Sequence, residues 1–118
     1  MTERYNAFLN RIGNVIAKDR IYTDELRRFA WGTDAGFYRM TPQMVIRSAS
    51  EKEVASILKA ASESNVPVTF RAAGTSLSGQ AVSDSVLVVA GRNWEKIKTD
   101  DSGLTVTLQP GVIGAHVN

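Results

Sequence analysis

The sequence predicts an α+β domain, a small mixed sheet with a β-α-β crossover and helices. Three observations lead there. Met44-Val45-Ile46 and Val68-Thr69-Phe70 are short strand-like runs with one helix-length segment between them, the spacing of a parallel pair joined by a crossover. The segment between them puts Val54, Ile57, Leu58 and Ala61 on one face of a helix. Further on, Asp100-Asp101-Ser102-Gly103 separates two more strand-like runs, with the polar residues and late glycine of a hairpin turn.

Taken in order, the chain begins with Tyr5, Phe8, Leu9, Ile12 and Ile16 at helical spacing, interrupted by Gly13, which costs about 1 kcal/mol relative to Ala inside a helix. Thr23 is placed to cap a second helix that turns Leu26, Phe29 and Ala30 inward. Gly32, Gly36 and Pro42 then punctuate an irregular stretch. Residues 1–42 thus read as a helical leader to an α/β part over 43–118. Strands are expected near 44–47, 67–71, 86–90 and 104–109, with a helix over 51–64 on one face. Ser50 and Glu53 open that helix as a capping box, and Asn65 with Pro67 stops it. Trp94 to Lys98 and Leu104 to Gln109 form the hairpin that makes the sheet mixed. In its second arm Leu104, Val106 and Leu108 alternate with Thr105, Thr107 and Gln109, as in a half-buried strand. Val112 to Asn118 opens like a helix but is too short to stand alone. The chain is therefore expected to be a piece of a longer protein.

The composition excludes much. The 118 residues, 43% hydrophobic and 22% charged, suit one compact domain and not a disordered segment. The longest apolar run, Val86 to Ala90, is far too short to span a bilayer, and Met1 to Tyr5 lack the apolar core of a signal peptide. A cytoplasmic location is expected. With no cysteine and one histidine, cysteine-ligated metal, thiol nucleophiles and multi-histidine sites are excluded within these residues, and no metal is expected. Fourteen basic residues against twelve acidic ones give only +2, and they are scattered. No basic face for nucleic acid is visible.

The segment that carries chemistry is Arg71-Ala72-Ala73-Gly74-Thr75-Ser76-Leu77-Ser78-Gly79-Gln80, directly after a strand. Small side chains let a ligand approach the backbone, and successive N–H groups in such a loop can cradle an anion. Thr75, Ser76 and Ser78 add hydroxyls, and Arg71 stands beside them. The P-loop is ruled out because Gln80-Ala81 replaces its Lys-Ser/Thr, and G-x-G-x-x-G is absent. On composition alone, phosphate binding and a mobile surface loop are equally good readings.

From Pro42 onward the chain resembles the first half of the flavin-binding domain of the FAD-linked oxidases and dehydrogenases, the vanillyl-alcohol-oxidase type. The resemblance rests on five ordered elements: Met44-Val45-Ile46-Arg47, Glu53-Val54, Pro67-Val68, the loop from Arg71 to Gly79, and Leu108-Gln109-Pro110-Gly111-Val112. Thr33-Asp34 and Tyr38-Arg39 are similar to the leader of the D-lactate and glycolate dehydrogenase branch. The resemblance implies an FAD-dependent dehydrogenase or oxidase acting on a 2-hydroxy acid such as D-lactate or glycolate. It gives Arg71 to Gln80 the FAD diphosphate contacts and brings Pro110-Gly111-Val112 to the ribityl–flavin side. With no His or Cys in the loop, the FAD is non-covalent. The catalytic residues are left unknown, beyond Asn118, and the 118 residues alone are expected to lack turnover. Ala72 stands where the family often has Gly, and Ser48 where it commonly has Pro. The alternative is a small non-catalytic α/β module for a nucleotide or a partner.

Other candidates have plainer readings. His116 has no partner acid nearby in sequence, Asp34 suits an Asx-turn, Trp31 and Trp94 suit aromatic packing, and Tyr38-Arg39 suits a surface or interface as well as substrate. Asp100-Asp101 suits the hairpin turn. The first helix has no evident partner within 43–112, so a homodimer is expected in which that helix covers the layer or exchanges as an arm; the alternative is a monomer with the helix folded back on its own layer.

Overall fold

A computed structural model describes residues 1–117. Its helices are α1 (Glu3–Ile12), α2 (Glu25–Ala30) and α3 (Glu51–Ser64); its strands are β1 (Ile21–Tyr22), β2 (Met44–Arg47), β3 (Val68–Arg71), β4 (Val86–Val89), β5 (Ile97–Thr99) and β6 (Val106–Leu108). The first four strands form one sheet in the order β1-β2-β4-β3. β2, β4 and β3 are parallel, and β1 pairs antiparallel with β2. β5 and β6 form a separate antiparallel ribbon.

Alternation along the parallel strands builds the layers. Met44, Ile46, Val86 and Val88 face α1 and α3, whose Tyr5, Phe8, Ile12, Ile57, Ala60 and Ala61 complete the main core. Val45, Leu87 and Val89 face the other way, against Tyr22 and Trp31. β2 and β4 are buried on both faces, which is why they read as unbroken apolar runs. The Tyr5 hydroxyl donates to Ser85 Oγ at 2.9 Å, so its burial leaves no polar orphan.

The capping box of α3 forms in a variant, its glutamate reaching one residue past the N-cap. Ser50 Oγ accepts from Glu53 N at 3.2 Å, and Glu53 Oε1 reaches back to Ala49 N at 2.8 Å. Asn65 ends the helix in the left-handed conformation at φ 54°.

Several expectations are corrected. β2 and β3 are parallel in one sheet but do not touch, because β4 lies between them. The sheet is mixed because of β1, a two-residue strand that carries no periodicity to read, and not because of the hairpin. The hairpin stands apart, and Leu104, Val106 and Leu108 are all exposed. Residues 92–94 make a 3₁₀ turn before it, so its first arm starts at Ile97. α3 buries Ile57, Ala60, Ala61 and Ser64, leaving Leu58 exposed. α2 is capped by Asp24, whose Oδ2 accepts from Arg27 N at 3.0 Å, and it turns Leu26 (78%) and Phe29 (54%) to solvent. The first helix does have a partner: α1 ends at Gly13 and packs on α3 in the chain's own core.

Candidate functional site

The carboxyl ends of the three parallel strands converge on a cleft of about 820 Å³, the end at which open α/β sheets take their ligands. Arg47 closes β2, Ala72 and Ala73 follow β3, and Val89-Ala90-Gly91 close β4 along its floor. One wall is Pro110 to Ile113, and the other is Tyr22, Arg27 and Trp31 from the leader. Its size fits an elongated organic ligand.

The first half of the small-residue loop supplies the polar surface. Among the described residues, no backbone N–H from Ala72 to Leu77 donates to another backbone or side-chain group. Gly74 at φ +71° turns this run back, a conformation that glycine adopts without strain. Unengaged N–H groups in such a curved run suit an anion. The charged lining agrees, with Arg27, Arg47 and Arg92 against the single carboxylate of Glu95. Arg27 is already paired with Asp24 at 2.6 Å and lies 4.2 Å over the Tyr22 ring. Arg47 donates to the Tyr22 hydroxyl at 3.2 Å.

The facing wall is held by close backbone packing. Gly111 N donates to Trp94 O at 2.8 Å, and a β-carbon on Gly111 would lie 2.3 Å from Gly91 O. Trp94 is buried with its indole N–H on Ser48 O at 2.9 Å, and Ser48 Oγ donates to Val89 O at 2.9 Å. Ser48 therefore ties the end of β2 to the end of β4, and Trp94 packs rather than stacks on a ligand.

Ala72, Ala73, Thr75, Pro110, Gly111 and Val112 thus line one cleft, although 35 and more residues separate the two groups in sequence. The rest of the loop turns toward the leader. Ser76 O accepts from Ala35 N at 3.1 Å, Leu77 O lies where a β-carbon on Gly36 would be, and Gly79 sits against Tyr38. Gln80 Oε1 accepts from Ser78 N at 3.2 Å. The Arg71 guanidinium also turns inward, donating to Thr33 O at 2.8 Å and to Ala73 O at 3.3 Å. Burial pushes its pKa down, and the charge of Asp34 opposes that shift. Asp34 makes the expected Asx-turn, accepting from Gly36 N at 2.8 Å. His116 lies exposed in a 3₁₀ turn.

Sequence reasoning did not find Tyr22, Arg27, Arg47 or Arg92, and it assigned Trp31 to aromatic packing although that residue lines the cleft. Arg47 and Arg92 were within reach, since each follows an apolar strand closely and parallel strands gather their carboxyl ends. Nothing in the leader's sequence signals its wall.

Comparison with known proteins shows the family of the chain. The FAD binding domain family matches residues 42–118. The chain belongs to this family. Over 114 residues it is 32% identical to an FAD-linked oxidoreductase of Mycobacterium tuberculosis (strain H37Rv), covering 95% of this chain and 24% of that protein. Over 78 residues it is 36% identical to the glycolate oxidase subunit GlcD of Bacillus subtilis (strain 168), covering 64% of this chain and 17% of the subunit. Among solved structures it superposes on p-cresol methylhydroxylase with a TM-score of 0.81 at 12% identity, over 99% of this chain and 24% of that one. The fold is that of the vanillyl-alcohol-oxidase type of FAD binding domain, and the chain spans about a quarter of the mycobacterial relative's length.

Proposed function

We propose that this chain holds the pyrophosphate side of a non-covalent FAD in a larger oxidoreductase acting on a 2-hydroxy acid such as D-lactate or glycolate. The observation that carries the FAD reading is the run of unengaged N–H groups from Ala72 to Leu77 beside a cationic cleft. The donor set fits a diphosphate: backbone N–H groups, the Thr75 hydroxyl, and Arg47 and Arg92, neither of which has a carboxylate partner among the described residues. Ser76 and Leu77 add their N–H groups while their carbonyls meet the leader, and Ser78, Gly79 and Gln80 shape the loop from behind. Pro110, Gly111 and Val112 face it across the cleft, on the ribityl–flavin side in this reading. Within this division 43–118 carries the cofactor loop and the leader, 1–42, adds Tyr22, Arg27 and Trp31.

When bound, FAD supplies the two-electron acceptor for the oxidation; the chain's own residues bind and orient it. The substrate class rests on the similarity to the glycolate oxidase subunit, over part of the chain only. A homodimer of the 118-residue chain belongs to the same proposal, supported by exposed Leu26, Phe29, Phe37 and Leu77. Anaerobic dye reduction by the native protein against a panel of 2-hydroxy acids tests the activity. Reduction with D-lactate or glycolate is expected, and reduction with none of the panel would refute the substrate class.

A further inference from the structure

We infer that Arg71 and Asp34 are a positioning pair that presets the cofactor loop, and that Arg71 is not itself a phosphate ligand; the role rests on the FAD reading above. The guanidinium carries five N–H donors in a planar fork, and three carbonyls from three places capture it. Nη1 donates to Thr33 O at 2.8 Å and to Ala81 O at 3.4 Å, and Nη2 to Ala73 O at 3.3 Å. Ala73 and Ala81 bracket the loop, and Thr33 belongs to the leader. One side chain thus ties the loop's two ends to a segment about forty residues earlier in sequence.

The guanidinium also lies directly over Gly74, where a β-carbon would come 2.3 Å from Cζ. Trp31 covers it with the ring centroid 5.1 Å from Cζ. Asp34 completes the arrangement. Its Oδ1 fixes the turn to Gly36, and that turn in turn grips Ser76 and Leu77 through Ala35 N and Gly36. Among the described residues two buried side-chain polar atoms have no partner, Asp34 Oδ2 and Arg71 Nε, and they belong to these two residues of opposite charge. A partly buried cation is stabilised by a nearby anion, and the carboxylate of Asp34 supplies that field.

The two roles differ in sign. If Asp34 acted only through its charge, removing it beside an anion site would tighten FAD binding. A positioning pair predicts the opposite, because the guanidinium loses the anion that holds it over the loop, even though the Asn amide oxygen can still accept from Gly36 N. Asp34→Asn and Arg71→Lys in the native protein are compared with wild type by flavin-fluorescence titration and by hydrogen exchange, without ligand, of the Ala35, Ser78 and Val82 amides, whose hydrogen bonds fasten the loop. Expected is FAD binding weaker by about five- to ten-fold in each variant, as for a lost hydrogen bond to a charged group, with faster exchange of these amides. Lysine does not rescue, since it cannot span three carbonyls. Unchanged or tighter binding in Asp34→Asn, or unchanged loop exchange in both variants, would overturn the pair. So would an Arg71→Lys variant that binds FAD as wild type does. Should wild type fail to bind FAD, the cofactor reading falls and the exchange rates alone judge the brace. If Arg71→Lys does not fold, Asp34→Asn decides.

Discussion

At Gly111 the far wall of the cleft leaves no room for a side chain. A β-carbon would lie 2.3 Å from Gly91 O and 2.8 Å from Trp94 O, and backbone atoms cannot rotate aside. Gly111→Ala is predicted to cost about 1–3 kcal/mol, the usual range for overpacking, measured by chemical denaturation. It should weaken FAD binding as well, because Pro110 and Val112 must shift with it. Across the floor, Trp94→Phe keeps most of the bulk and removes only the donor to Ser48. A loss of about 1–2 kcal/mol is expected for the stranded acceptor, and an unchanged denaturation midpoint would contradict that role. Gly74 and Gly111 were visible in the sequence as small residues in turns. What each would strike was not, because Gly74 meets Arg71 and Gly111 meets Gly91, pairings that only the folded chain creates.

The elements most legible in the sequence were those whose burial is complete. β2 and β4 lie between two layers and show as apolar runs, and α3 announces its start through Ser50 and Glu53. The order of the strands was not legible, because nothing local says that β4 slots between β2 and β3. Glu53 illustrates the same limit. Its cap was readable, but Arg20, which donates to both its oxygens at 2.6 and 2.7 Å, is 33 residues away. The Arg20 hydrogen bonds hold the Glu53 pKa below its usual 4.5, the Ala49 N–H helps, and burial opposes them. A depressed folded pKa means stability that is present above pH 4.5 and is lost as pH falls through the folded value. Glu53→Gln is therefore predicted to lose about 1–3 kcal/mol at pH 7. Thermal unfolding should show that the gap from wild type narrows at pH 3. An equal gap at both pH values would contradict the ion-pair assignment.

For the whole molecule, the leader and the α/β part share one core. The helical stripe of α1 was legible, but its destination was not, since the sequence from 43 to 112 offers no visible gap for it. Phe8 is fully buried there, and Phe8→Ala is predicted to cost about 3–5 kcal/mol. That is much of the roughly 5–15 kcal/mol available to a domain, so circular dichroism should show a largely unfolded variant. Deleting residues 1–20 should likewise unfold the chain; a folded deletion variant would contradict the shared core. The leader also builds one wall of the cleft and grips the small-residue loop after β3, so fold and cleft stand or fall together. The central claim is that the cleft between Ala72–Thr75 and Pro110–Val112 takes the pyrophosphate of FAD. Its most direct test is an equilibrium titration of the native protein with FAD and, separately, with riboflavin, which carries no phosphate. Pyrophosphate binding at this cleft predicts saturable FAD binding that ADP displaces and Gly111→Ala weakens, with no riboflavin binding in the same range. Riboflavin bound as tightly as FAD, or FAD binding indifferent to both ADP and Gly111→Ala, would contradict it.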